Sequence, residues 1–137
     1  MKNVEHIGIA VRDLEAAEKL FGALFNSKPY KKETIASELV ETSFFKINQT
    51  KIELLQAMDA DSAIAKFIEK KGEGFHHVAF EVDDIVSEME RLKGEGFTLL
   101  NDKPKPGADN KLVCFLHPKG TNGILIELCQ EIIKPDR

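Results

Sequence analysis

The chain has 137 residues, enough for one ordinary domain or for two half-domains sharing a core. Its formal charge of −4 excludes a broadly basic nucleic-acid face, and a hydrophobic fraction of 42% is that of a soluble globular protein. Cys114 and Cys129 form no CxxC pair and no disulfide framework, so they read as buried free thiols. The start, MKNVEHIGIAV, lacks the long apolar core of a signal peptide, and no run reaches membrane-spanning length. A cytoplasmic protein with no membrane partner is the expectation.

The elements follow in chain order. Ile7, Ile9 and Val11 alternate with His6, Gly8 and Ala10, which predicts a half-buried strand. Asp13 can cap a helix whose Leu14, Ala17, Phe21 and Leu24 recur at helical spacing. Strands are predicted over Tyr30–Thr34, Leu39–Ile47 and Lys51–Gln56. A short helix, Ser62–Lys71, ends at Gly72. The run GFHHVAFEV then gives another strand, and Asp83 or Asp84 caps a helix with Ile85, Met89 and Leu92 on one face, closed by Gly94 and Gly96. Strands over Thr98–Leu100, Leu112–His117 and Ile124–Cys129 complete the chain, with Lys103–Gly107 as a loop.

This order is βαβββ twice, and the residues repeat as well as the elements. HIGIAVRDLEAAEKLF from His6 matches HVAFEVDDIVSEMERL from His77 in residue type, at an offset of 71. KIELL and LIELC place Glu53 against Glu127 at an offset of 74. The fold class read from this is α+β: one domain of two repeats, about residues 1–60 and 74–137, joined by the short helix.

Each repeat opens with a histidine and closes with a glutamate on its last strand. Two imidazoles and two carboxylates suit a divalent first-row metal, so His6, Glu53, His77 and Glu127 are the candidate ligands. Small residues, Gly8, Ala10 and Ala79, share the histidine faces and leave room for a ligand. Taken singly, a strand histidine or glutamate is usually an exposed or hydrogen-bonded residue. The matched pairs are what favour a site. His76 is offset by one residue and points away from its neighbour's face.

HIGIAVRDLEAA, TKIELLQAMDADSAIAKFIEKKGEGFHHVAFEVDDI and FLHPKGTNGILIEL resemble the vicinal oxygen chelate superfamily, and within it the methylmalonyl-CoA epimerase family. The resemblance covers nearly the whole chain. It implies curled mixed sheets that form a metal-holding cleft. It also implies interconversion of the two epimers of methylmalonyl-CoA through an enolate at the α carbon. The ligands it implies are His6, His77 and Glu127, with Glu53 at a position that is glutamine in some members. The implied metal is divalent: cobalt first, otherwise manganese, nickel or zinc. An acyl-CoA substrate and a homodimer are further implications.

Inversion needs proton removal on one face and delivery on the other. The resemblance implies two glutamates: Glu127, and on an earlier strand Glu41 as the best match, with Glu38 nearby. A solvent-facing strand carboxylate is the ordinary alternative for Glu41. Lys111, Lys119 and the KGTNG turn are candidates for CoA phosphates, with ordinary surface lysines as the alternative. His117 and Pro118 read as fixing a turn or walling the cleft. Two other functions use related parts: a glyoxalase I-type lyase acting on a glutathione hemithioacetal, and a metal-free small-molecule-binding module.

Overall fold

The computed structural model describes residues 1–132; positions 133–137, the end of the second expected repeat, lie outside the described residues. Backbone contacts divide the chain into two compact units. One is His6–His76; the other runs from His77 onward and takes in Met1–Glu5.

In the unit His6–His76 the elements are β1 (Asn3–Ala10), α1 (Leu14–Phe25), β2 (Lys31–Ile35), β3 (Val40–Ile47), β4 (Thr50–Ala57) and α2 (Ala63–Lys71). The strands lie in the order β2-β3-β4-β1. Antiparallel pairing joins β2, β3 and β4, and β1 runs parallel to β4. Parallel pairing needs a long crossover, and α1, β2 and β3 supply it. The α1 face of the sheet carries Ile9, Val11, Phe45, Ile52 and Leu54, packed on Leu14, Ala17, Phe21 and Phe25. The opposite face carries Ala10, Val40 and Leu55, packed at one end on Ile64, Phe67 and Ile68 of α2.

One helix contact differs from expectation. Phe25, not Leu24, joins the apolar face of α1, and Leu20 and Leu24 stay exposed at 66% and 69%. At about 100° per residue, Leu24 falls to the side of the line through Leu14, Phe21 and Phe25.

The other unit repeats the plan with β5 (Gly74–Glu81), α3 (Ile85–Gly94), β6 (Lys105–Gly107), β7 (Lys111–Leu116) and β8 (Ile126–Glu131). Its strand order is β5-β8-β7-β6, with β5 parallel to β8. Val82, Ile85, Met89, Leu92, Cys114, Leu116 and Leu128 form its main core. The expected strand Thr98–Leu100 is reduced to one bridge, Leu99 to Leu116. The expected loop holds β6 instead. Pro106 within β6 is tolerated because β6 is an edge strand, and Pro104 lies just before it. Gly107 is needed, since a Cβ at that position would meet Val113 Cγ1 at 2.9 Å.

Asp13 and Asp84 cap α1 and α3, accepting from Ala16 N at 3.1 Å and Ser87 N at 3.2 Å. A second device is also duplicated. The Leu14 N–H donates to Gln56 Oε1 at 2.6 Å, and the Ile85 N–H donates to Gln130 Oε1 at 2.7 Å. Each glutamine stands three residues after the module's glutamate. Each therefore ties the glutamate strand to the first turn of its helix, meeting an N–H that has no partner within the helix.

Candidate functional site

The two units build the same local arrangement on different strands. In the first, Glu53 on β4 is buried, and its strand neighbours are Phe44 on β3 and Gly8 on β1. His6 stands two residues before Gly8, on the same face, with Nδ1 3.2 Å from Glu53 Oε2. In the second, Glu127 on β8 is buried between Phe115 on β7 and Ala79 on β5. His77 stands two residues before Ala79, with Nε2 3.2 Å from Glu127 Oε1. The Phe115 ring meets His77 edge-on at 5.9 Å between centroids. Each glutamate thus lies between a phenylalanine and a residue too small to fill the space beside it.

Strand parity produces both pairs. Residues opposite one another across a ladder share a face, and so do alternate residues along a strand. The four histidine and glutamate residues are only 4–5% exposed. Carboxylates are rarely buried so deeply unless paired or bound to a metal.

The donors fit a divalent ion chemically. Nitrogen and carboxylate ligands at about 2.1 Å from a metal lie roughly 3.0 Å apart along an octahedral edge and roughly 3.4 Å apart along a tetrahedral one. The two 3.2 Å contacts fall between these values.

The other expected residues divide. Glu41 is half-buried on β3 and pairs with Gln56, whose side chain binds the start of α1. Its neighbours on that face are Ser43, which donates to Glu18 of α1 at 2.6 Å, and Phe45, which packs on α1. Glu41 is therefore on the sheet face opposite Glu53, and its assignment as a second base is corrected on strand parity. Glu38 is exposed in the helical turn Ala36–Glu38.

Lys111 is no surface lysine. It is 8% exposed, on the Phe115 face of β7, with Nζ 4.0 Å from Glu5 Oε2. Lys119 is exposed. His117 fixes the turn, as expected: Nδ1 accepts from Lys119 N at 3.0 Å ahead of the helical turn Pro118–Thr121. His76 packs edge-on against Phe67 of α2 at 4.8 Å. Both cysteines are buried thiols, and burial pushes both up from the ordinary thiol range; the nearby Glu127 and Glu5 carboxylates add to the effect at Cys129.

Sequence reasoning missed three residues. Phe44 and Phe115 flank the glutamates, and their offset of 71 is the same as that of the histidines. Thr42 lies beside Phe44 on the Glu53 face. It is 0% exposed, and its Oγ1 has no hydrogen-bond partner. No sequence pattern marks a threonine in a strand, because its usual reading is a β-branched strand former.

A family model described as the Glyoxalase/Bleomycin resistance protein/Dioxygenase superfamily matches residues 5–115. The ethylmalonyl-CoA/methylmalonyl-CoA epimerase of Cereibacter sphaeroides is 40% identical over 129 residues, covering 93% of this chain and 96% of the relative. The chain belongs to this superfamily and, within it, to the methylmalonyl-CoA epimerase family. The mitochondrial methylmalonyl-CoA epimerase of Mus musculus, another member, is 37% identical over 93% of this chain and 72% of the relative. A solved member is a variant of the Streptomyces coelicolor methylmalonyl-CoA epimerase in complex with 2-nitronate-propionyl-CoA. It superposes with a TM-score of 0.94 at 30% identity, over 100% of this chain and 99% of that one. The chain accordingly has the α+β fold of this family. Among the described residues no helix is long and apolar enough to cross a membrane.

Proposed function

We propose that this chain is a metal-dependent methylmalonyl-CoA epimerase, an isomerase that interconverts the two epimers through an enolate at the α carbon. The observation that carries this is the buried His–Glu pair found in both units at equivalent ladder positions. Membership of the epimerase family, and an acyl-CoA analogue on a related enzyme, support the substrate. His6, Glu53, His77 and Glu127 together hold one divalent ion: cobalt first, otherwise manganese, nickel or zinc. When bound, such an ion supplies Lewis-acid stabilisation of negative charge on a neighbouring oxygen.

The residues of the chain do the rest. The α proton of the substrate lies between a thioester and a carboxylate and is acidic enough for a side-chain base. Glu127 carries that proton on one face of the carbon, and inversion needs a second carrier on the other. Phe44 and Phe115 exclude water beside the glutamates. The chain works as one domain of two repeats and as a cytoplasmic homodimer.

The test is an assay of purified protein, metal-loaded and chelator-stripped, with each methylmalonyl-CoA epimer. Epimerisation that needs about one divalent ion per chain is expected. Glu41→Gln is expected to stay within about two-fold of wild type, because that carboxylate faces α1. Isomerisation of the methylglyoxal–glutathione hemithioacetal, with methylmalonyl-CoA ignored, would replace this reading with a glyoxalase.

A further inference from the structure

We propose that Glu33 is the second proton carrier; this rests on the epimerase reading above. Three strand carboxylates stand on β2, β3 and β4: Glu33, Glu41 and Glu53. Glu41 faces α1. Glu33 pairs with Thr42 across the ladder, and Lys31 pairs with Phe44, so both share the Glu53 face. One row of that face reads Lys31, Phe44, Glu53, Gly8. The next reads Glu33, Thr42, Leu55, Ala10. Glu33 is thus the other carboxylate that these three strands present on the face of the His6–Glu53 pair, two strands from Glu53 and one row along.

Two further observations point to a reacting group in that row. The Thr42 hydroxyl, directly opposite Glu33, is fully buried without a hydrogen-bond partner. A buried polar atom left unmet is rare, and a substrate oxygen admitted to this row by a shift of the side chains that cover Thr42 would meet it. The second observation is a break in the repeat. The histidines, glutamates, phenylalanines and glutamines are duplicated, yet the row equivalent to Glu33–Thr42 reads Lys105–Val113 in the other unit. The metal-binding pairs are symmetric. The Glu33 row departs from that symmetry, as does the next row, where Val40 stands against Lys111, and a reaction that tells two epimers apart needs such departures.

Glu33 suits the role. Its carboxylate lies 3.3 Å from Lys31 Nζ, and its side chain keeps 30% exposure, so a captured proton can exchange with water. In the step, the α C–H bond breaks and the proton passes to a Glu33 carboxylate oxygen. The electron pair moves into the enolate. Protonated Glu127 then delivers its proton to the opposite face of the carbon, leaving Glu33 as the acid and Glu127 as the carboxylate. The reverse turnover uses the same groups in exchanged roles.

The experiment follows epimerisation, and separately α-proton exchange in deuterium oxide, for each epimer with wild type, Glu33→Gln and Lys31→Met. Glu33→Gln is expected to lose epimerisation by at least about 100-fold while still exchanging the proton of one epimer, the one served by Glu127. Lys31→Met, which keeps the carboxylate, is expected to stay within a few-fold of wild type in both measurements. Epimerisation by Glu33→Gln within about two-fold of wild type would overturn the inference. So would equal loss of exchange from both epimers, which would make Glu33 a binding group, or the same loss in Lys31→Met. A wild-type protein inactive on methylmalonyl-CoA would instead sink the epimerase reading itself.

Discussion

Replacing Thr42 by valine should stabilise the protein while impairing it. Valine has nearly the shape of threonine, with a methyl in place of the hydroxyl. The equivalent ladder position in the other unit is already a valine, Val113, so the site accepts that shape. Thr42 is 0% exposed, its Oγ1 has no partner, and Leu55 lies across the ladder from it. An unmet buried hydroxyl costs about 1–3 kcal/mol, and the added methyl contributes apolar burial instead. A gain of about 1–2 kcal/mol follows. At roughly 2.1 cal/mol/K per residue, 137 residues give an unfolding entropy near 0.29 kcal/mol/K, so Tm should rise by about 3–7 °C. Urea unfolding and calorimetry at one protein concentration, on metal-stripped samples, measure this. In the same variant kcat/KM for epimerisation should fall, as the proposed meeting of this hydroxyl with a substrate oxygen beside Glu33 requires. A variant less stable than wild type, at unchanged m-value, would show that the hydroxyl is satisfied in the folded protein and would remove the reasoning.

Three other outcomes are expected. Chelation should lower Tm, and readdition of cobalt or manganese at about 100 times its Kd should restore about 2.7 kcal/mol; His6→Ala and His77→Ala should each abolish that response in a thermal shift titration. Gln130→Leu leaves the Ile85 N–H without its 2.7 Å acceptor and should destabilise by about 1–3 kcal/mol in urea, with Gln56→Leu behaving alike in the other unit. The buried Cys129 thiol is held above the ordinary range in the folded protein. Above about pH 9 the unfolded chain therefore loses a proton that the folded chain keeps, and stability should fall by up to about 1.4 kcal/mol per pH unit, a slope that Cys129→Ala should reduce.

Much of this molecule is legible along the chain because it is written twice. A residue type that means little once, such as His6 in a strand, gains meaning when His77 repeats it at the same place in a second βαβββ pattern. The capping aspartates and the alternation in β1 and β5 are local signals, read correctly because propensity and burial agree there. The strand predicted at 98–100 failed because edge pairing depends on where the proline-bearing segment lies in space, and Gly107 lets that segment approach Val113.

Glu41 marks the limit of motif matching. One residue of register turns a side chain to the other face of a sheet, and spacing alone does not fix the ladder. The βαβββ pattern and the recurrence of a histidine and a glutamate in each half are legible along the chain, since they rest on periodicity and residue chemistry. Which carboxylate shares the Glu53 face, the burial of Lys111 and the unpartnered Thr42 hydroxyl emerge with the fold. Those facts arise from strands far apart in the chain being brought side by side.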